Sequence, residues 1–198
     1  MAFDIASPTL ISDLWAFKHE QKMPPGASAE HLIMFAGRDD IHGSLKAGLT
    51  ASRSSAIVAM YGMDDPELWE IVWSKITDPQ IYVAVTLDKS QAAGPTEKKI
   101  LDLHRNGDPS DFNSRIAIGQ SATHQIAHTK AGIIDGILGW HGSVNWSSSG
   151  EGIGADVDPK AKSQNNSLAW FTDRLNINAM ADQLAKEHLI AQSQEKAA

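Results

Sequence analysis

The 198-residue chain contains no cysteine, which removes disulfides, thiolate nucleophiles and cysteine-ligated zinc from consideration. Basic residues are the minority, with 17 Lys and Arg against 24 Asp and Glu, for a formal net charge of −7. An acidic average argues against coating nucleic acid through bulk charge, although a local basic groove is compatible with it. No apolar run approaches the roughly 18 residues of a membrane span, and no basic leader with a long apolar run opens the chain. The expectation is a cytoplasmic protein with no integral membrane association, export being left open. What is present suffices for a core: hydrophobic residues make up 42% of a chain of single-domain length.

Leu10, Ile11, Leu14, Trp15 and Phe17 recur at roughly helical spacing before Pro24-Pro25-Gly26 breaks the pattern. Residues 1–28 therefore read as an N-terminal arm or short helix, packing on the body or on a partner subunit, and 29–198 as one domain. From His31 strands and helices alternate. "HLIMFA", "SAIVAMYG", "IYVAVTLD" and "RIAIGQS" are strand candidates, separated by "DDIHGSLKAGLTASR", "DDPELWEIVWSKITD" and "TEKKILDLHRNG" as helices. "GDPSDFNS" (107–114) and residues 147–164 read as loops, "NSLAWFTD" as a further strand, and "NAMADQLAKEHLIAQSQ" as a C-terminal helix. This order predicts an α/β fold with a mixed, mostly parallel central sheet and helices on both faces.

"HTKAGIIDGILGWHGSVN" (128–145) concentrates polar groups on an apolar segment. Asp135-Gly136 signals a two-residue hairpin turn, which sets Lys130 opposite His141 and His128 opposite Ser143. Side chains two apart share a face, so His128, Lys130, His141 and Ser143 are expected to converge there. Lys130 offers a cation, Ser143 and Asn145 neutral donors, and a helix start after Asn145 adds backbone N–H groups, which together suit an anion. An imidazole there can serve as nucleophile or proton donor. Asp135 lies about 20 Å along an extended strand from His128, so it is expected to organise the turn.

The same run resembles the motif of the phospholipase D superfamily, H-x-K-x4-D-x6-G-S-x-N. Here it is His128-Thr129-Lys130, four residues, Asp135, six residues, Gly142-Ser143-Val144-Asn145. The resemblance extends over roughly residues 30–190 and implies a phospholipase D-like fold and phosphodiester cleavage without metal or other cofactor. By that resemblance His128 attacks phosphorus and forms a phosphohistidine, and a second motif histidine protonates the leaving oxygen. Lys130, Ser143, Asn145 and Asn166 would hold the phosphoryl oxygens, supported by Asp135, Gly142, Asn165 and His141. Only one motif is present, because none of the other seven histidines has Lys two residues on. The resemblance therefore implies a homodimer in which a second His128 completes the site, as in single-motif endonucleases of bacterial or phage type.

Many such nucleases carry a Glu-Asn pair after the loop, whose carboxylate orients the motif histidine. Asn165-Asn166 stands there instead. Either the histidine is less basic, or Glu151 or Asp156 supplies the charge, or the pair lies elsewhere in the chain. Lys160 and Lys162 are candidates for phosphate contacts, with a solvated loop as the equal alternative. Trp140 and Trp146 are candidates for core or dimer packing, with base stacking as the alternative. A nuclease acting on DNA or RNA is the leading expectation. A lipid phosphodiesterase or transphosphatidylase, and a non-catalytic binding protein on the same scaffold, stay open.

Overall fold

Val, Ile, Leu and Ala fill Ser55–Met60 and Tyr82–Asp88, and these runs form two inner strands of a seven-stranded sheet. The computed structural model describes residues 3–91, 94–106, 115–123, 125–155, 157–158 and 160–197, so the predicted 107–114 loop and Asp156 lie outside the described residues. The elements run α1 (Leu10–Leu14), β1 (His31–Phe35), α2 (Ile41–Ala51), β2 (Ser55–Met60), α3 (Pro66–Ile76), β3 (Tyr82–Asp88), α4 (Pro95–Asn106), β4 (Ile116–Gly119), β5 (Lys130–Ile134), β6 (Leu138–Gly142), α5 (Ser148–Glu151), β7 (Ser167–Phe171) and α6 (Arg174–Ala197).

The strand order is β1-β7-β6-β5-β2-β3-β4. The sheet is mixed, as expected. Five strands point one way, while β5 and β7 point the other and each lies between two of the five. Four of the six ladders are therefore antiparallel, and only β2-β3-β4 forms a parallel block. The cause is local: the motif segment returns through a tight hairpin, whereas parallel pairing needs a helical crossover. β1 is an edge strand exposed on one face, with Ile33 and Phe35 outward.

The helices begin where the sequence places caps. The Asp40 side chain accepts from Gly43 N (2.8 Å) at α2, and the Asp65 side chain accepts from Leu68 N (2.9 Å) at α3, with Pro66 at the first helical position. Leu45, Leu49, Leu68, Trp69 and Val72 pack one face of the sheet, and Ile177 and Leu184 of α6 pack the other. The N-terminal segment joins the first of these cores through Ile5, Leu10, Ile11 and Leu14. It is helical over 10–17, and a buried Lys18–Asp39 ion pair (3.3 Å) ties its end to the loop after β1.

The β5–β6 hairpin closes one residue later than a two-residue turn would allow. Asp135, Gly136 and Ile137 form the turn, with Asp135 at φ +53° and Gly136 at φ +65°, and Ile134 pairs with Leu138. His141 consequently pairs with Ala131, not Lys130. A one-residue slip moves a side chain to the other face of the sheet. The expected placement of His141 beside Lys130 is thereby corrected: its ring lies 5.9 Å from Phe171, on the α6 side.

Asp135 does organise the turn. Its carboxylate accepts from the backbone N–H groups of Arg53 (2.9 Å), Ser54 (2.8 Å) and Ser55 (2.7 Å), and so pins the hairpin to the start of β2. Burial raises its pKa, but these donors outweigh burial and hold it below the usual value. Asp135→Ala is expected to cost about 2 kcal/mol, since three donors lose an ionised acceptor. Asp135→Asn keeps one acceptor oxygen and tolerates the positive φ, so it should cost less. Urea denaturation at pH 7 measures both. The difference should vanish as pH falls through the depressed folded pKa, because this stability exists only while the carboxylate is ionised.

Candidate active site

Parallel β2 and β3 bring their carboxyl ends to one edge of the sheet, the usual ligand edge of open α/β sheets. Antiparallel β5 starts at that edge, with Lys130 opposite Met60. β6 ends there and β7 begins there, with Gly142 opposite Leu168. Residues 128–130, 142–145 and 166 are thus gathered by topology from distant points of the chain.

The Lys130 side chain is drawn inward, leaving the residue 6% exposed. Its Nζ donates to the His128 carbonyl (2.7 Å) and lies 4.7 Å from the centre of the Tyr61 ring. Burial pushes the ammonium pKa down to about 8, and the Asp88 charge offsets only part of that. The exposed His128 imidazole meets the same Tyr61 ring edge-on at 4.6 Å. Tyr61 follows β2 directly, and its hydroxyl accepts from Gln91 Nε2 (2.7 Å). Sequence reasoning missed this tyrosine, because a Tyr closing a buried strand carries no spacing signal. Asp88, at the end of β3, accepts from Ala127 N and fixes the approach to His128.

Gly142 is required by contact. A Cβ there would lie 2.1 Å from the Ser167 carbonyl, so only glycine lets β6 and β7 close at this point. Ser143 bridges the two strands: its Oγ donates to Asn166 Oδ1 (3.0 Å) and accepts from Ser167 N (3.1 Å). Asn166 Nδ2 donates to the Gly150 carbonyl (2.9 Å). Asn145 packs against Gly62, and its buried Oδ1 has no hydrogen-bond partner among the described residues. It borders a polar cleft of about 300 Å³ lined by Asp64, Ser90, Gln91, Glu97 and Ser147.

Asn165 is exposed. Of the two acids considered in its place, Glu151 is committed elsewhere, with Oε2 2.8 Å from His42 Nδ1, and Asp156 lies outside the described residues. No ion pair or hydrogen bond to the His128 imidazole forms among the described residues. Trp140 and Trp146 are core residues, 1% and 0% exposed, and do not stack on anything outside the protein. Lys160 and Lys162 are exposed, and residues 148–151 of the predicted loop form a helical turn capped by Ser147.

No family model and no curated protein matches this sequence. Solved structures do match its fold. NucT from Helicobacter pylori superposes with a TM-score of 0.59 at 19% identity, covering 82% of this chain and 96% of NucT. Nuc from Salmonella typhimurium, described as a phospholipase D family member, gives 0.57 at 13%, covering 80% and 94%. A phosphatidylserine synthase from Haemophilus influenzae gives 0.50 at 9%, covering 84% of this chain and 39% of the synthase. The fold is phospholipase D-like.

The depressed Lys130 pKa has two measurable signs. Anion affinity needs the ammonium, so inorganic phosphate binding should weaken as pH rises through about 8, measured by calorimetry and abolished in Lys130→Met. In the free protein the unfolded chain binds more protons than the folded one between about 8 and the ordinary lysine value of about 10.4, so stability should rise with pH across that window.

Proposed function

We propose that the chain is a phosphodiesterase of the nuclease type, cleaving DNA or RNA through a phosphohistidine on His128, in a site shared between two copies of the chain. The observation that carries this reading is the meeting of His128 and Lys130 on the Tyr61 ring, at the edge where Ser143, Asn145 and Asn166 also gather. A buried ammonium beside an exposed imidazole suits a phosphoryl group: the cation holds a non-bridging oxygen while the imidazole reaches phosphorus.

In the first step a neutral His128 nitrogen attacks phosphorus. The N–P bond forms as the P–O bond to the leaving nucleotide breaks, and the leaving oxygen takes a proton from the partner subunit's His128. In the second step that imidazole, now neutral, accepts a proton from water. The hydroxyl oxygen attacks phosphorus, the N–P bond breaks and both histidines return to their starting states. Lys130 and Asn145 neutralise and orient the phosphoryl oxygens in both steps. The charge balance needs no metal.

The polar cleft beside Asn145 favours a nucleic acid over a lipid. Its carboxylates and amide oxygen suit the amino and hydroxyl donors of bases and sugars, and would solvate acyl chains poorly. One observation favours a lipid diester instead: Ile126, two residues from His128, is 47% exposed.

Cleavage of single- and double-stranded DNA, RNA and phosphatidylcholine vesicles in excess EDTA separates the two. Nucleic acid should be cut, and His128→Ala should lower the rate by about 10³-fold or more while circular dichroism stays unchanged. Hydrolysis of vesicles alone would transfer the reading to lipids, and no hydrolysis by a folded dimer would reject it. Sharing of the site has its own test. Subunits of wild type and His128→Ala exchanged at equal amounts should retain about a quarter of the wild-type activity per total chain, because only wild-type homodimers carry both histidines. Retention of about half would mean that each copy works alone.

A further inference from the structure

Behind the motif loop, three side chains that the reaction does not use meet in one small volume. His42 stands in the first turn of α2, Asp65 caps α3 and Glu151 ends α5. His42 Nδ1 lies 2.8 Å from Glu151 Oε2 and 3.2 Å from Asp65 Oδ2, and one ligand atom from each residue falls within 4.8 Å of the others. The Asp65 and Glu151 side chains are 4% and 0% exposed. Asp65 spends Oδ1 on its helix cap and turns Oδ2 to the cluster. Glu151 Oε1 is buried with no hydrogen-bond partner among the described residues.

We infer that His42, Asp65 and Glu151 form a binding site for a divalent transition-metal cation, distinct from the His128 centre. A single Nδ1 proton cannot satisfy two buried carboxylates, and it leaves Glu151 Oε1 without a partner. A cation does better. Metal–ligand distances near 2.0–2.2 Å place ligand atoms about 3–3.5 Å apart, close to the two separations found. The donor set, one imidazole and two carboxylates with no thiolate, suits zinc or manganese. The far nitrogen supports it too: His42 Nε2 lies 3.5 Å from Glu67, which pairs with Lys46, so a carboxylate is already placed to orient a metal-bound imidazole.

The cation would brace rather than react. It would tie the amino ends of α2 and α3 to the end of α5, whose Gly150 carbonyl receives Asn166. Metal content is independent of activity, so this site stands or falls apart from the nuclease reading.

The test is zinc and manganese titration of full-length protein stripped with EDTA and then freed of it, by calorimetry and elemental analysis, with melting temperature alongside. Wild type should bind one equivalent of zinc or manganese per chain and melt higher with it. His128→Ala should bind equally well. Glu151→Gln and His42→Gln should bind about tenfold or more weakly and lose the shift in melting temperature. Folded wild type that takes up neither metal overturns the inference, and so does full binding by a folded Glu151→Gln, or binding lost in His128→Ala. If the variants fail to fold, X-ray absorption of the zinc-loaded wild type decides. One imidazole among oxygen ligands supports the site, and two or more imidazoles contradict it.

Discussion

The Lys130 ammonium sits at the start of β5 with its one hydrogen bond among the described residues directed to the His128 carbonyl, and with the Tyr61 ring across from it. A cation withdrawn from water in this way is expensive to keep charged, which is why its pKa falls to about 8. In the proposed reading, the same withdrawal gives the site its preference for anions. A phosphoryl oxygen entering beside Lys130 meets a charge that water does not screen, so the attraction is several-fold stronger than at an exposed lysine. The cation–π contact with Tyr61 offsets part of the desolvation without supplying a competing negative charge. Asp88 is near enough to act on Lys130, yet it is occupied by Ser90 and by the backbone before His128.

The rest of the fold keeps that arrangement in register. At one end of the hairpin, Asp135 ties the turn to the first residues of β2, which sets β5 against β2 and puts Lys130 opposite Met60, one residue before Tyr61. At the other end, Gly142 lets the Ser167 carbonyl approach, which brings Ser143 and Asn166 together. The Asp and the Gly of the motif act through geometry. In the proposed reading, the His, Lys, Ser and Asn present the chemistry that this geometry allows.

Much of this was legible in the residues. The alternation of apolar runs and capped helices predicts every strand of the sheet, and the motif spacing selects the residues that the topology gathers. The hairpin register was not legible. Asp-Gly signals a two-residue turn, but here Asp135 adopts a left-handed conformation beside Gly136 and recruits Ile137, and that one residue sends His141 to the α6 face. Tyr61 was hidden because a single aromatic residue at a strand end has no periodicity. The His42–Asp65–Glu151 cluster was hidden for another reason: its members come from three separate turns that become neighbours only after the sheet has formed. Nor does the sequence reveal that Glu151, one of the acids available in place of the missing Glu, is already paired with His42.

Covalent chemistry at His128 is the central claim, and trapping the intermediate tests it most directly. Wild type mixed with an end-labelled oligonucleotide and quenched in alkali within one turnover should carry label on the peptide containing His128, stable to base and released by acid. His128→Ala should carry none. Label on a different residue, or cleavage at the wild-type rate by His128→Ala with no adduct, would contradict it.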